Sequence, residues 1–150
     1  MEIDLKSGIK NNIEKKVFID TNIFIYAYNN ENSKRNICLQ IVKNLFKNKI
    51  SYISIQTLSE LSNVLLHKMK LSNLDLNEVI YELVEFGNLC EIKSSTIIKA
   101  IDIHKKFKIH FFDAQIVATM IQNGVDTIYT ENVKDFSKVP FIKAINPLDI

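Results

Sequence analysis

Tryptophan is absent from this chain of 150 residues, and glycine and proline are scarce, with three and two copies. Because glycine and proline punctuate turns and linkers, their scarcity leaves little room for a flexible connection between domains. No apolar stretch approaches the roughly 18 residues of a membrane span. The segment Met1–Lys6 lacks the apolar core of a signal peptide. We therefore expect one domain, located in the cytoplasm and not in a membrane.

Cysteine and histidine are equally sparse. Cys38 and Cys90 have no metal-type spacing and stand among apolar residues, so we expect reduced, buried thiols. The three histidines His67, His104 and His110 are scattered without a ligand motif. These counts argue against a zinc site built from cysteine and histidine.

The net charge of +2 is too small for the molecule as a whole to bind polyanions strongly. Its distribution is more informative, because the interval between Glu31 and Glu60 contains no acid. That interval holds five basic residues, Lys34, Arg35, Lys43, Lys47 and Lys49. Two interpretations stay open for them: a face that binds phosphates, or a solvated helix face rich in lysine.

Short β-branched runs alternate with longer segments of helical periodicity. The runs predict strands at 17–19, 50–55, 89–92, 127–130 and 141–145. The longer segments predict six helices, at 23–28, 33–49, 58–69, 75–86, 95–106 and 112–122. Such alternation is typical of a three-layer α/β/α sandwich around a mostly parallel sheet.

The polar residues 1–15 are expected to form an N-terminal extension, and residues 16–150 the folded domain. Segment 104–110 is expected to be a basic loop, either solvated, which is the favoured interpretation, or in contact with an RNA backbone. The phenylalanines and tyrosines are expected to lie mostly in the core, without forming a surface on which bases stack.

Three acids stand in apolar settings: Asp20, Glu60 and Asp113. Each has an ordinary structural explanation, as a helix cap, an exposed helix position and a first-turn acid respectively. Each also lies where a strand ends or a helix begins, and ligands of parallel sheets bind at the carboxyl ends of the strands. Clustered carboxylates repel one another unless a cation lies between them. Oxygen ligands of this kind suit Mg²⁺ or Mn²⁺.

Four segments in order resemble the acidic motifs of the PIN-domain nucleases. They are 17–22 (VFIDTN), 54–61 (SIQTLSEL), 111–116 (FFDAQI) and 128–136 (IYTENVKDF), with 145–147 similar to the family's last strand and exit. The fourth segment departs from the pattern, because the family often has an aspartate where this chain has an asparagine at position 132.

The resemblance leaves the fourth acidic position open. Glu131 or Asp135 is a candidate for the missing carboxylate, and Asn132 is a candidate through its amide oxygen. Asn22 and Thr130 are expected to orient ligands or waters around the site, or else to form hydrogen bonds at the helix start and strand end.

The resemblance implies an endoribonuclease that depends on Mg²⁺ or Mn²⁺, with one or two ions held by Asp20, Glu60 and Asp113. A metal-activated water would cleave the RNA phosphodiester. Lys34 or Arg35 would neutralise a substrate phosphate. Within the family, the small chain is similar to VapC-type toxins, which implies a homodimer and a small antitoxin protein as partner.

Two other classes compete with this interpretation. A PIN fold without catalysis, serving as an RNA- or protein-binding module, is favoured by the asparagine at position 132. A receiver domain or a haloacid-dehalogenase-type phosphatase also has an aspartate after its first strand. Those proteins need a second acid close by, and the residue two positions after Asp20 is Asn22.

Overall fold

In the computed structural model, which describes residues 15–69 and 73–149, five short strands form one sheet. The strands are β1 (Val17–Ile19), β2 (Ser51–Ser54), β3 (Asn88–Cys90), β4 (Thr127–Tyr129) and β5 (Lys143–Ile145). Their order in the sheet is β3-β2-β1-β4-β5, and every neighbouring pair is parallel. The prediction of a mostly parallel sheet is confirmed.

Seven helices connect these strands within the described part of the chain. They are α1 (Thr21–Tyr28), α2 (Arg35–Lys47), α3 (Ile55–His67), α4 (Asn73–Phe86), α5 (Ser94–Phe107), α6 (Phe111–Gln122) and α7 (Val133–Phe136). None of the described helices is long and apolar enough to cross a membrane.

The central strand β1 separates two hydrophobic cores. Val17 and Ile19 point to one face of the sheet and pack with α1 to α4. Phe18 points to the opposite face and packs with α5, α6 and α7. This alternation follows from the two-residue period of a strand, and both faces are covered, as parallel sheets require. The predicted three-layer sandwich is confirmed.

The strand order reverses beside β1. The chain runs from β1 outward through β2 and β3, and then returns to place β4 on the other side of β1. The connections that leave β1 and β4 therefore diverge to opposite sides of the sheet. A crevice opens between them at the carboxyl edge, where ligands of doubly wound sheets bind.

Several predicted boundaries were wrong. The strand predicted at 50–55 is shorter, because the Ser54 side chain accepts a hydrogen bond from the Thr57 backbone (3.2 Å) and starts α3 at Ile55. Segment 104–110 is not a loop throughout. Helix α5 continues to Phe107 and ends at Lys108, which adopts a left-handed conformation with φ of 57°.

Two further helix ends also differ from prediction. Helix α2, predicted from residue 33, begins at Arg35 after a turn in which Asn32 accepts a hydrogen bond from the Lys34 backbone (2.8 Å). The short helix α7 lies in a segment where no helix was predicted.

Several large apolar side chains are exposed, and the phenylalanines among them are exceptions to the expected core positions. Val84 and Phe86 of α4 are 44% and 59% exposed, because the buried line of that helix runs through Leu76 and Leu83. Val84 lies about 100° around the helix from Leu83. Phe112, at 53% exposed, is a further exception.

Cys38 and Cys90 are buried free thiols, as predicted. Burial raises the pKa of Cys90 to about 11, so this thiol stays protonated at neutral pH. The extension predicted for residues 1–15 lies outside the described residues, except for Lys15.

We predict that Phe18→Ala lowers the free energy of unfolding by about 3–5 kcal/mol, since it empties a fully buried aromatic site in the central strand. Urea unfolding followed by circular dichroism measures this change. The control is Ile98→Ala, which truncates a side chain that is 63% exposed and should change stability by less than about 0.5 kcal/mol. Equal losses for both variants would contradict the assigned core.

Candidate active site

Asp20 stands at the point where β1 gives way to α1. Ile19 pairs with Tyr129 in the sheet, so the next residues of both strands, Asp20 and Thr130, lie side by side. The Thr130 hydroxyl donates to Asp20 Oδ2 (2.7 Å), and the Thr21 backbone N–H donates to Oδ1 (2.8 Å). The carboxylate, in a residue only 9% exposed, is therefore fixed by two donors.

The environment of Asp20 disfavours its charge. Burial raises the pKa of Asp20 to about 6, and the two hydrogen bonds offset only part of that rise. Repulsion by the nearby carboxylates of Asp113 and Glu60 contributes to that rise. No cation among the described residues lowers the pKa of Asp20.

Glu60, in the second turn of α3, is joined to Asp20 through Thr21. The Thr21 hydroxyl donates to Glu60 Oε2 (2.8 Å), while the Thr21 backbone donates to Asp20. Gln56, one turn earlier on the same helix, donates to Glu60 Oε1 (2.8 Å). Both oxygens of Glu60 are thus held by neutral donors.

Two glutamines join α3 to the beginning of α6. The Gln115 amide donates to Gln56 Oε1 (2.7 Å), and the Gln56 amide also donates to the Phe112 carbonyl (3.3 Å). Both glutamines are buried. They fix the separation between Glu60 on α3 and Asp113 in the first turn of α6.

Asp113 is the third acid of the site. Burial raises its pKa; the repulsion of Asp135 and Glu60 adds to the rise, while His110 opposes it. Its Oδ2 accepts a hydrogen bond from the Asn132 amide (3.3 Å). The three acids Asp20, Glu60 and Asp113, here called the acidic group, thus lie near enough to affect one another electrostatically.

The two remaining candidate acids have cations of their own. Glu131 accepts from Lys34 Nζ (2.7 Å) and from the Tyr26 hydroxyl. Burial raises the pKa of Glu131, but these hydrogen bonds outweigh it and the net pKa is lowered. The hydrogen bond from Lys138 (3.1 Å) lowers the pKa of Asp135. Within the described residues, every hydrogen bond to the acidic group comes from a neutral donor.

The other predicted site residues also have defined positions. The Asn132 backbone donates to the Thr130 hydroxyl (2.9 Å), so both residues belong to the network of the acidic group. Asn22 Oδ1 is buried without a hydrogen-bond partner in the described structure, two residues after Asp20. Arg35 opens α2, and its Nε is likewise buried without a partner there.

The donor set has the chemistry of a hard-cation site. The candidate donors are the carboxylate oxygens of the acidic group, and the unpartnered oxygen of Asn22 lies nearby in sequence, in the first turn of α1. Among the described residues, no group of three or more His, Cys, Asp or Glu side chains is placed to hold a metal ion together. Mg²⁺ in particular is bound through one or two carboxylates and keeps several waters. The residues fit such an ion, and the set Asp20, Glu60 and Asp113 stays a prediction.

Sequence reasoning missed the side chains that hold the acids in place. Thr21, Gln56 and Gln115 were not singled out, and neither was Tyr26. One signal was available, because Gln56 precedes Glu60 by four residues, the spacing that places helical side chains side by side.

Fold and site together define a class: a doubly wound α/β/α protein with a carboxylate-lined crevice at the β1/β4 switch point. The profile of the PIN domain family matches residues 17–142, and the chain belongs to that family. The receiver-domain and phosphatase alternatives are thereby set aside.

Solved structures of similar fold include a toxin–antitoxin complex from Klebsiella pneumoniae (22% identity, 88% of this chain and 98% of that chain, TM-score 0.66). Another is VapC20 of Mycobacterium tuberculosis, described as a sarcin-ricin loop cleaving toxin (17%, 85% and 98%, TM-score 0.67). A third is DNA-bound VapBC from Salmonella typhimurium (19%, 87% and 97%, TM-score 0.66). These likenesses establish the fold. No curated protein matches the chain.

We predict that the metal-free protein loses stability as pH rises from about 4 to about 6. The folded state raises the pKa of Asp20 from 3.8 to about 6, so it holds a proton that the unfolded chain has already released. The effect is at most about 3 kcal/mol. Asp20→Asn should remove it and make the protein more stable than wild type at pH 7.5.

Urea unfolding in EDTA at a series of pH values measures this difference. Asp102→Asn, an exposed position on α5, is the matched control and should follow the wild-type profile. A constant difference between Asp20→Asn and wild type across pH 4–8 would contradict the assigned environment of Asp20.

Proposed function

We propose that this protein is a Mg²⁺- or Mn²⁺-dependent endoribonuclease, acting in the cytoplasm as the toxin of a toxin–antitoxin pair. The observation that carries the proposal is the acidic group itself. Three carboxylates at the ligand edge of a parallel sheet lie within electrostatic reach of one another, and their described hydrogen bonds all come from neutral donors. Carboxylates in such an arrangement repel one another, and a divalent cation bound among them would offset that repulsion.

The residues of the chain hold the acidic group ready for that ion. Thr130 and Thr21 fix the orientation of the Asp20 carboxylate, and Thr21 keeps Glu60 beside it. Asn132 holds Asp113. A bound ion would activate water and neutralise the charge that develops on the phosphodiester.

For the fourth acidic position we favour Asp135 over Glu131. Asp135 interacts electrostatically with Asp113, and the Asn132 side chain both donates to Asp113 (3.3 Å) and lowers the pKa of Asp135. Glu131 is engaged by Lys34 and Tyr26. The Lys34 ammonium, paired with Glu131, is the first candidate for contact with a substrate phosphate. Arg35, the next residue, is the second candidate for that contact.

Partner proteins are proposed from two observations. Several neighbours of similar fold are complexes of a toxin with its antitoxin, which supports a small antitoxin as partner. Helix α4 exposes three large apolar side chains, Tyr81, Val84 and Phe86, which supports a homodimer.

We predict that Mn²⁺ or Mg²⁺ induces cleavage of an RNA pool and that EDTA abolishes it. Asp20→Asn, Glu60→Gln and Asp113→Asn should each lower the rate at least about 100-fold, since each removes one charge from the acidic group. Asp102→Asn, purified identically, should cleave like wild type. Equal activity in all four variants would reveal a contaminating nuclease and contradict the proposal.

We also predict that Mn²⁺ stabilises the folded protein at pH 7.5. An ion at 100 times its dissociation constant adds about 2.7 kcal/mol to the free energy of unfolding. Thermal unfolding measures this shift without any substrate. Asp20→Asn should abolish the shift, and Asp102→Asn should retain it. A shift of the same size in both variants would place the ion elsewhere.

A further inference from the structure

A hollow of about 420 Å³ opens beside the acidic group, a volume within the roughly 300–1,000 Å³ of small-molecule pockets. Its apolar walls are Ile55, Ile92 and Phe112, and its polar lining includes Gln56 and Glu60. Glu60 therefore belongs to the hollow and to the acidic group. Anything bound in the hollow lies next to the site of the proposed chemistry.

The Phe112 ring is the most unusual wall of this hollow. It is 53% exposed, although it stands at the start of a helix whose next residues include the buried Ala114 and Gln115. Its backbone carbonyl accepts a hydrogen bond from Gln56 (3.3 Å), which fixes the Phe112 backbone relative to the helix that carries Glu60. A half-exposed aromatic ring on that backbone offers a π face to a flat ligand.

The surrounding charge favours a nucleotide over an apolar peptide. The ten residues that precede Asp113 contain no acid, and they carry three exposed lysines, Lys105, Lys106 and Lys108, together with the exposed imidazoles of His104 and His110. The His110 ring lies 5.9 Å from the Phe112 ring, between centroids. Phosphate-binding charges combined with a stacking ring are what single nucleic-acid strands require. An apolar side chain of a partner protein needs only the hollow.

We propose that this hollow receives the unpaired base of a nucleotide adjacent to the cleaved bond, with Phe112 as its stacking face. The proposal rests on the proposed ribonuclease function for the position of the cleaved bond, although base binding itself requires no cleavage. Phe112 is then a specificity-determining residue, because it contacts the base while the neighbouring Asp113 serves the phosphodiester.

The test measures binding of a short fluorescent RNA by anisotropy in EDTA, where metal-dependent cleavage is absent. Phe112→Ala and Phe112→Leu should both bind on the order of 10-fold more weakly, as base–aromatic stacking predicts. Phe112→Tyr should bind like wild type. The control Phe141→Ala truncates a ring of similar exposure, 51%, that does not line the hollow, and should have no effect. Thermal unfolding verifies that each variant is folded.

A second arm identifies the base. An abasic nucleotide is placed at each position of the RNA in turn, and one position should weaken wild-type binding about 10-fold but leave Phe112→Ala binding unchanged. This non-additivity supports direct contact between that base and Phe112. Unchanged binding by Phe112→Ala, wild-type binding by Phe112→Leu, or the absence of any such position overturns the proposal.

The two proposals fail in different ways. If Phe112 and one base prove coupled while Mn²⁺ induces no cleavage, the base site stands and the ribonuclease assignment falls. If cleavage depends on the acidic group while RNA binding does not depend on Phe112, the ribonuclease assignment stands and the base site falls.

Discussion

Burial of the Asp20 carboxylate is the constraint around which the site is organised. A buried carboxylate is costly unless donors surround it, and Thr130 and the backbone of Thr21 are the donors that the fold supplies. Thr130 can reach it only because β4 lies against β1 in parallel register. Thr21 then extends the network to Glu60. The geometry of the edge of the sheet thus determines the geometry of the acids.

Charge is distributed unevenly across this edge. Glu131 and Asp135 pair with Lys34 and Lys138, so their charges are compensated within the protein. No lysine or arginine among the described residues forms an ion pair with the acidic group; His110 lowers the pKa of Asp113, while burial raises the pKa of Asp20. A cation that binds beside an uncompensated carboxylate relieves the cost of burying that charge, and this relief favours binding. A carboxylate already paired with lysine would offer no such gain.

The sequence was sufficient to predict the α/β/α sandwich and the nearness of Asp20, Glu60 and Asp113, because strand–helix alternation places all three at the carboxyl edge. The amide pairing of Gln56 with Gln115 could not be predicted, since it spans 59 positions and depends on how two helices pack. The half-exposed position of the Phe112 ring could not be predicted either, because an aromatic residue in an apolar segment is usually buried.

Assembly of the site is late in folding as well as long in range. The hydrogen bond from Thr130 to Asp20 joins residues 110 positions apart. Strand β1 is synthesised first, and the crevice beside it is complete only when β4 has paired with it. Parallel pairing over such separations is slow, because loop closure precedes any gain from contact. On the ribosome, a chain that has emerged only as far as α6 already carries Asp20, Glu60 and Asp113 but lacks β4 and the Thr130 hydroxyl that donates to Asp20. Because β4 is synthesised late, the crevice can be complete only after most of the chain has been made.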